Sequence, residues 1–459
     1  MRYNVDLEAL ASIVGASNVS ARPVDLEAHS IDESCVEPSL PDAIVWPANT
    51  QEIAAILRYA YENEIPVVPW SGGSSLEGNP VPVCGGIILA MYRLKEIINV
   101  NEDDLQVTVQ PGIVYDALNA HLRRLGLFFP PAPGSSDVAT IGGMVANNAS
   151  GMRAVKYGVT RDYVQSLVVV LADGSVVRLG SDAKKTTSGY DLKSLFVGSE
   201  GTLGVTTEIT LRLVGMPEAV GVVVASFDEL EGATGSVHET IRYGLNPSAI
   251  EILDAETVRV TNEQQGLRLA IRPTLFVEFH GTEASVEEQI GYLREICEDN
   301  GCASFDQSLS EEEREELWKA RKEAHDSIKF SNPGKVMVSG DVCVPISQFG
   351  AMFPFVHDLA RRLNLKIYAF GHAGDGNMHT ETIADRADAD EFARAHQATD
   401  AIVRHALEVG GTVAGEHGIG RAKRQYLEVE HGPSVALMRR IKQIFDPRGI
   451  LNPGKIFDD

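Results

Sequence analysis

Short apolar runs closed by glycine, proline or asparagine alternate with segments whose apolar residues recur every three to four positions. The first half of the chain therefore reads as mixed strand and helix. From residue 50, Thr50 stands as a capping residue, Glu52 falls in the first turn, and Ile53, Ile56, Leu57, Ala60 and Tyr61 share one face, which predicts a helix. The run 65–68 predicts a buried strand, 86–91 and 106–110 predict two more, and 114–125 predicts a helix. Residues 164–171 and 176–179 flank Asp173-Gly174 and predict a hairpin, and 205–214 predicts a closing strand.

The pattern changes near Met216-Pro217. Strand (221–227), helix (229–243) and strand (249–253) are followed by strand (275–280), helix (284–300) and strand (303–306). That order is βαββαβ, a ferredoxin-like plan. Helices near 311–329, 348–363 and 388–409 come next, with strands at 336–344 and 366–370 between them, and a last helix ends at Asp446-Pro447.

The 459 residues are too many for one core, so two or three domains are expected. A net charge of −24 argues against nucleic acid as a partner. Asp6 and Glu8 interrupt the N-terminus, so no leader is expected, and no uninterrupted apolar run is long enough to span a membrane. Cys35, Cys84, Cys297, Cys302 and Cys343 are odd in number and form no CxxC, which suits reduced thiols in a cytoplasm.

Three glycine-rich stretches carry the first candidate chemistry. Residues 69–78, Pro-Trp-Ser-Gly-Gly-Ser-Ser-Leu-Glu-Gly, follow a strand and offer bare amides to an anion, most simply a diphosphate. Residues 130–136 cannot be helix or central strand. They lead into 140–151, dense in Gly, Asn and Ser, which reads as backbone wrapped on a ligand rather than an ordinary helix. Residues 195–204 are the third stretch.

The second candidate lies in 370–379. With a strand to His372, a four-residue loop over 373–376 and a return strand from Asn377, His372 faces Asn377. His379 and Glu381 then share its face, with the two histidines roughly 7–8 Å apart at Cα. A five-residue loop would reverse this parity. In 411–420, Glu416 and His417 are adjacent and point opposite ways in an extended segment. His372, His379 and Glu416 form a donor set suited to Zn2+ or Mn2+ with an open position. Other motifs fail. Residues 449–455 match a phosphate loop up to Lys455, but Ile456 replaces the Ser/Thr and no helix can follow. No GxGxxG follows the first strand, and HExxH and CxxCH are absent.

Together, 69–78, 133–151, Lys156-Tyr157-Gly158, Gly198-Ser199-Glu200-Gly201 and Asn452-Pro453-Gly454-Lys455 resemble the FAD-binding fold of the vanillyl-alcohol oxidase superfamily. Residues 370–379 and 415–420 narrow the resemblance to the FAD-linked D-2-hydroxyacid dehydrogenases, a group that includes D-lactate dehydrogenases and the glycolate oxidase FAD subunit. Residues 341–347 resemble the D-lactate branch most. The resemblance implies an α+β fold: a two-part FAD-binding domain (1–215), a cap built on a ferredoxin-like antiparallel sheet (216–420) and a C-terminal segment (421–459) returning to the first domain. It implies FAD contacts from Pro69, Ser71, Gly72, Gly73, Ser74, Ser75, Pro133, Gly134, Thr140, Gly142, Gly143, Asn147, Ser150, Gly151, Tyr157, Gly158, Glu200, Gly201, Gly204 and Asn452. His372, His379 and Glu416 would hold the metal, zinc before manganese, and His417 would be the general base that also meets the substrate. Arg321 would bind the substrate carboxylate, although on helix pattern alone it reads as a solvated charge.

Some relatives tether FAD through a His in the first glycine loop. This chain has Ser74-Ser75 there, so non-covalent FAD is expected. Relatives acting on 2-hydroxyglutarate carry Lys where this chain has Ser339 and Asn where it has Glu381, which favours a monocarboxylate. The implied partners are a small 2-hydroxy acid and an electron acceptor: a quinone, a cytochrome, an Fe–S subunit or an electron-transfer flavoprotein. Localisation would be cytoplasmic, at most peripheral to a membrane, and a homodimer is the default assembly. The rivals are a non-redox flavoenzyme resembling alkylglycerone-phosphate synthase, a metal hydrolase using the His-His-Glu set, and a non-catalytic subunit. Retention of Glu416-His417 argues against the last.

Overall fold

A computed structural model describes residues 3–308 and 310–457. The chain forms two compact units: Met1–Ser150, Val159–Met216 and Glu416–Asp459 make the first, and Gly151–Gly158 with Pro217–Gly415 the second.

In the first unit a four-stranded sheet runs in the order Val19–Ser20, Ala43–Val45, Ile87–Ala90, Val67–Trp70. Ile87–Ala90 pairs in parallel with both neighbours. Helix Thr50–Glu62 buries Ile53, Ile56, Leu57 and Ala60. Its cap is Asn49 rather than Thr50: the Asn49 side chain accepts from the Glu52 amide at 2.9 Å. Leu451 bridges Val67 in parallel and joins the core under this sheet. A second, five-stranded antiparallel sheet holds the expected strands at Gln106–Val109, Val164–Val170, Val176–Gly180 and Val205–Arg212. It also holds Ile97–Asn101, a short, half-exposed Ile-Ile-Asn-Val-Asn run that was not expected as a strand. The stretch expected to be non-helical is helical in part. Thr140 caps helix Ile141–Asn147 by accepting from the Gly143 amide at 3.2 Å, and that cap supports a segment with two glycines.

The second unit is built on a seven-stranded sheet in the order Cys302–Ser308, Ala219–Phe227, Thr274–Gly281, Ala249–Leu253, Lys366–His372, Asn377–Ala384, Val336–Cys343. Every neighbouring pair is antiparallel. The first four strands have the ferredoxin-like order, and the hairpin 366–384 with 336–343 extends it. Helix Ala255–Gln265 was not expected; Asp254 caps it by accepting from the Thr257 amide at 2.8 Å. The helix expected over 311–329 is two, Glu311–Lys322 and Ala324–Ser331, divided at Glu323.

Residues 151–158 are tied to the sheet of this unit. Met152 packs in its core, and Arg153 Nε lies 3.1 Å from Glu278 Oε1. Lys156 Nζ donates to the His280 carbonyl at 2.9 Å, and the Tyr157 hydroxyl meets His280 Nδ1 at 2.8 Å. Burial pushes the Glu278 carboxyl up, but Arg153 and His280 outweigh it and the pKa falls from 4.5 to about 2. A depressed carboxylate stabilises above its unfolded pKa and loses that contribution as pH falls through the folded one. Glu278→Gln should therefore cost about 3 kcal/mol at pH 7 and flatten the pH dependence of unfolding between about pH 4.5 and 2. Denaturant unfolding across that range checks this, and an unchanged acid limb would contradict it.

Candidate functional site

The first glycine loop leaves the C-terminal end of strand Val67–Trp70. Its Gly72 is pressed against the chain at Val138, where a Cβ would come within 2.5 Å of the carbonyl oxygen. The Ser71 and Thr140 hydroxyls are hydrogen-bonded to each other. Gly201 packs on Pro69, where a Cβ would come within 3.1 Å of the ring. Gly142 and Gly204 have reasons inside the protein, since a Cβ would lie 2.5 Å from Pro111 and Val169 respectively. Ser75 bonds Asn79, whose amide reaches Glu200 Oε2 at 2.7 Å. Asn452 Nδ2 donates to the Glu200 carbonyl at 2.7 Å and the Asn79 carbonyl at 3.0 Å. Beside it, burial lowers the Lys455 pKa to about 8 against the opposing pull of Glu200. Small residues and hydroxyls thus gather at the end of one strand. That chemistry fits the diphosphate of FAD.

The segment 416–420 is met within the same unit by side chains from three distant places. Ser150 Oγ donates to Glu416 Oε2 at 2.9 Å, and Asn147 Nδ2 donates to the His417 carbonyl at 3.0 Å. The Ile419 and Gly420 amides donate to the Glu200 carboxylate at 2.7 and 2.8 Å. Burial raises the Glu200 carboxyl above the usual range despite these donors. Glu77 and Lys423, both buried, form an ion pair of 2.9 Å, and His417 Nδ1 lies 3.5 Å from the same Glu77 oxygen.

In the second unit the four-residue loop forms. His372 pairs with Asn377 and Phe370 with His379, so His372, His379 and Glu381 share a face. The two imidazoles stand edge to face with ring centres 5.0 Å apart. On the neighbouring strand Glu251 is wholly buried: Oε1 lies 2.7 Å from His372 Nδ1, and Oε2 accepts from Arg321 Nε at 2.6 Å. Arg321 also lies over the Phe370 ring at 5.1 Å. The solvated-face reading of Arg321 is thus corrected: 7% of it is exposed. Buried Asp341 accepts from Asn377 Nδ2 at 2.7 Å and lies 3.8 Å from His379 Nδ1. Glu381 meets His325 at 2.9 Å and the Ser339 hydroxyl at 2.7 Å. Burial lowers the His325 pKa, but Glu381 outweighs that and the net direction is up.

The expected residues thus fall in both units. Gly151, Tyr157, Gly158, Arg321, His372 and His379 belong to the second, and the others to the first. Sequence reasoning assigned no role to Glu77 or Glu251. Each left a signal: an acid inside a glycine loop, and an acid inside the apolar strand Ala249–Leu253.

The architecture is that of a flavoprotein of the p-cresol methylhydroxylase type. The solved p-cresol methylhydroxylase superposes with a TM-score of 0.81 at 16% identity, over 98% of this chain and 96% of that one. Residues 41–180 match the FAD binding domain, and 216–456 match the FAD linked oxidases, C-terminal domain. The chain belongs to the FAD-linked oxidase family. It is 38% identical over 456 residues to the probable mitochondrial D-lactate dehydrogenase of Danio rerio, covering 98% of this chain and 91% of the relative. It is 37% identical over 453 residues to the glycolate oxidase subunit GlcD of Bacillus subtilis (strain 168), covering 98% and 96%.

Glu200→Ala should strip the Ile419, Gly420 and Asn79 donors of their acceptor and cost about 2–3 kcal/mol in denaturant unfolding. Amide exchange at Ile419 and Gly420 should quicken; unchanged exchange there would mean that Glu200 does not hold the segment.

Proposed function

We propose that this chain oxidises a small D-2-hydroxy acid, D-lactate or glycolate, to the 2-oxo acid, using FAD held without a covalent bond. The observation that carries the reading furthest is buried Glu251, which fixes a guanidinium and an imidazole from opposite ends of one carboxylate. With its Nδ1 committed to Glu251, His372 offers Nε2 as a ligand nitrogen, as a metal-binding histidine does. His379 beside it, together with Glu416, completes a donor set that fits Zn2+ or Mn2+. When bound, FAD supplies hydride acceptance at N5, and the metal ion supplies a Lewis acid for the 2-hydroxyl.

The chain's own residues do the rest. Arg321 holds the substrate carboxylate and so orients C2. His417 takes the hydroxyl proton as C2 loses its hydride. Glu381, already met by His325 and Ser339, offers nothing to a second substrate carboxylate, which favours a monocarboxylate. The electrons would pass to a quinone, a cytochrome, an Fe–S subunit or an electron-transfer flavoprotein. The cytoplasm is the proposed compartment. Among the described residues no helix is long and apolar enough to cross a membrane, and the five cysteines are free thiols.

Anaerobic D-lactate or glycolate should bleach the yellow protein, and a chelator should abolish the bleaching. His417→Ala should keep its FAD while flavin reduction slows ~10²-fold or more. His379→Ala should lose metal by elemental analysis. A colourless protein, or a yellow one that neither acid bleaches, would overturn the reading. Normal reduction in His417→Ala would overturn the base, and full metal with full activity in His379→Ala would overturn the metal site.

A further inference from the structure

We infer that His325 and Glu381 select the substituent on C2 of the substrate, favouring a 2-hydroxy acid that carries a hydroxyl on C3 over one whose C3 substituent is apolar. The inference rests on the reading of Arg321 as the group that holds the substrate carboxylate. Within the hairpin 366–384, residues paired across the two strands share a face and form rungs. Phe370 and His379 make the middle rung, His372 and Asn377 the rung on the turn side, and Tyr368 and Glu381 the rung on the far side. Successive rungs on one face are about 7 Å apart. The Arg321 guanidinium lies over the Phe370 ring at 5.1 Å, so an acid held by it meets the middle rung. With its 2-hydroxyl toward His372 and His379, the rest of the acid faces the rung of Glu381.

That rung is polar, and one side of it is open. Glu381 is 3% exposed, lies 2.9 Å from His325 Nδ1 and accepts from the Ser339 hydroxyl at 2.7 Å. Arg321 ends helix Glu311–Lys322 and His325 stands in the first turn of helix Ala324–Ser331, so one stretch of chain brings both side chains to this face of the sheet. The His325 side chain is 32% exposed, and among the described residues its Nε2 makes no hydrogen bond. A hydroxyl both donates and accepts, so it meets that nitrogen in either protonation state of the ring. A methyl group in its place offers the nitrogen nothing and displaces the water that would serve it. A His325–Glu381 pair kept for stability alone has no bearing on which acid is preferred, and this separates the two roles.

The experiment uses the full-length FAD-loaded enzyme as wild type, His325→Phe and His325→Phe/Glu381→Leu. The double variant removes imidazole and buried carboxylate together, so it stays informative if the single variant fails to fold. Anaerobic flavin reduction is followed against the concentration of D-glycerate and of D-2-hydroxybutyrate, which differ only in a hydroxyl or a methyl on C3, with D-lactate as the reference acid. Wild type should reach half-maximal reduction at a roughly tenfold lower concentration of D-glycerate than of D-2-hydroxybutyrate. In the variants that preference should vanish or reverse, with FAD content as in wild type. Equal half-saturation for the two acids in wild type would overturn the inference. So would a preference for D-glycerate that survives in the variants, which is what a purely structural pair predicts. If D-lactate bleaches the flavin and no preference is seen, the selection by His325 and Glu381 fails alone. If none of the three acids bleaches it, the proposed function fails and the inference falls with it.

Discussion

The length of one turn governs the chemistry available in the second unit. Residues 373–376 join two strands with His372 opposite Asn377, and side-chain period 2 then puts His372, His379 and Glu381 on one face. One residue more would send the second histidine to the other side of the sheet. Packing holds the turn to its length. Gly376 has φ +75°, and a Cβ there would lie 2.1 Å from the Val344 carbonyl; at Gly371 a Cβ would lie 2.2 Å from the Asn377 carbonyl. The hairpin also sits beside Ala249–Leu253 with Glu251 opposite His372, so the same register aims the carboxylate at the imidazole.

Buried acids recur as the fixed points of both units. An isolated carboxylate inside a protein is costly, and each of these is met by donors. Glu251 has Arg321 and His372, Glu200 has two main-chain amides and Asn79, and Glu77 has Lys423. The 64 acidic residues are therefore not all a solubility feature. Some of them are interior and structural, organising the segment 416–420 in one unit and the hairpin in the other. Such networks stiffen the segments they join, and chemistry that depends on sub-ångström placement needs that.

Local period and punctuation made much of the fold legible. Strands Ala249–Leu253 and Asn377–Ala384, the Asp-Gly hairpin and the βαββαβ order were all readable from spacing. Helix Ala255–Gln265 was not, because Thr257, Val258, Val260 and Thr261 are β-branched and weaken the helical signal; its Asp254 cap tips the balance. Helix Ile141–Asn147 was hidden by its glycines in the same way. The burial of Arg321 lay beyond local reasoning. Its helix is crowded with charge, and its partner Glu251 lies 70 residues away in the chain. Glu77 was quoted within a glycine loop yet given no task, since its neighbours Lys423 and His417 come from the far end of the sequence.

Hydride departure from C2 is tested most directly by stopped-flow anaerobic flavin reduction with D-lactate carrying deuterium at C2, compared with the protiated acid. If C2–H cleavage is the reducing step, bleaching with the deuterated acid is slower by a primary isotope effect at saturating substrate. Equal rates for the two acids with chemistry limiting, or a flavin that stays oxidised with both, would contradict it.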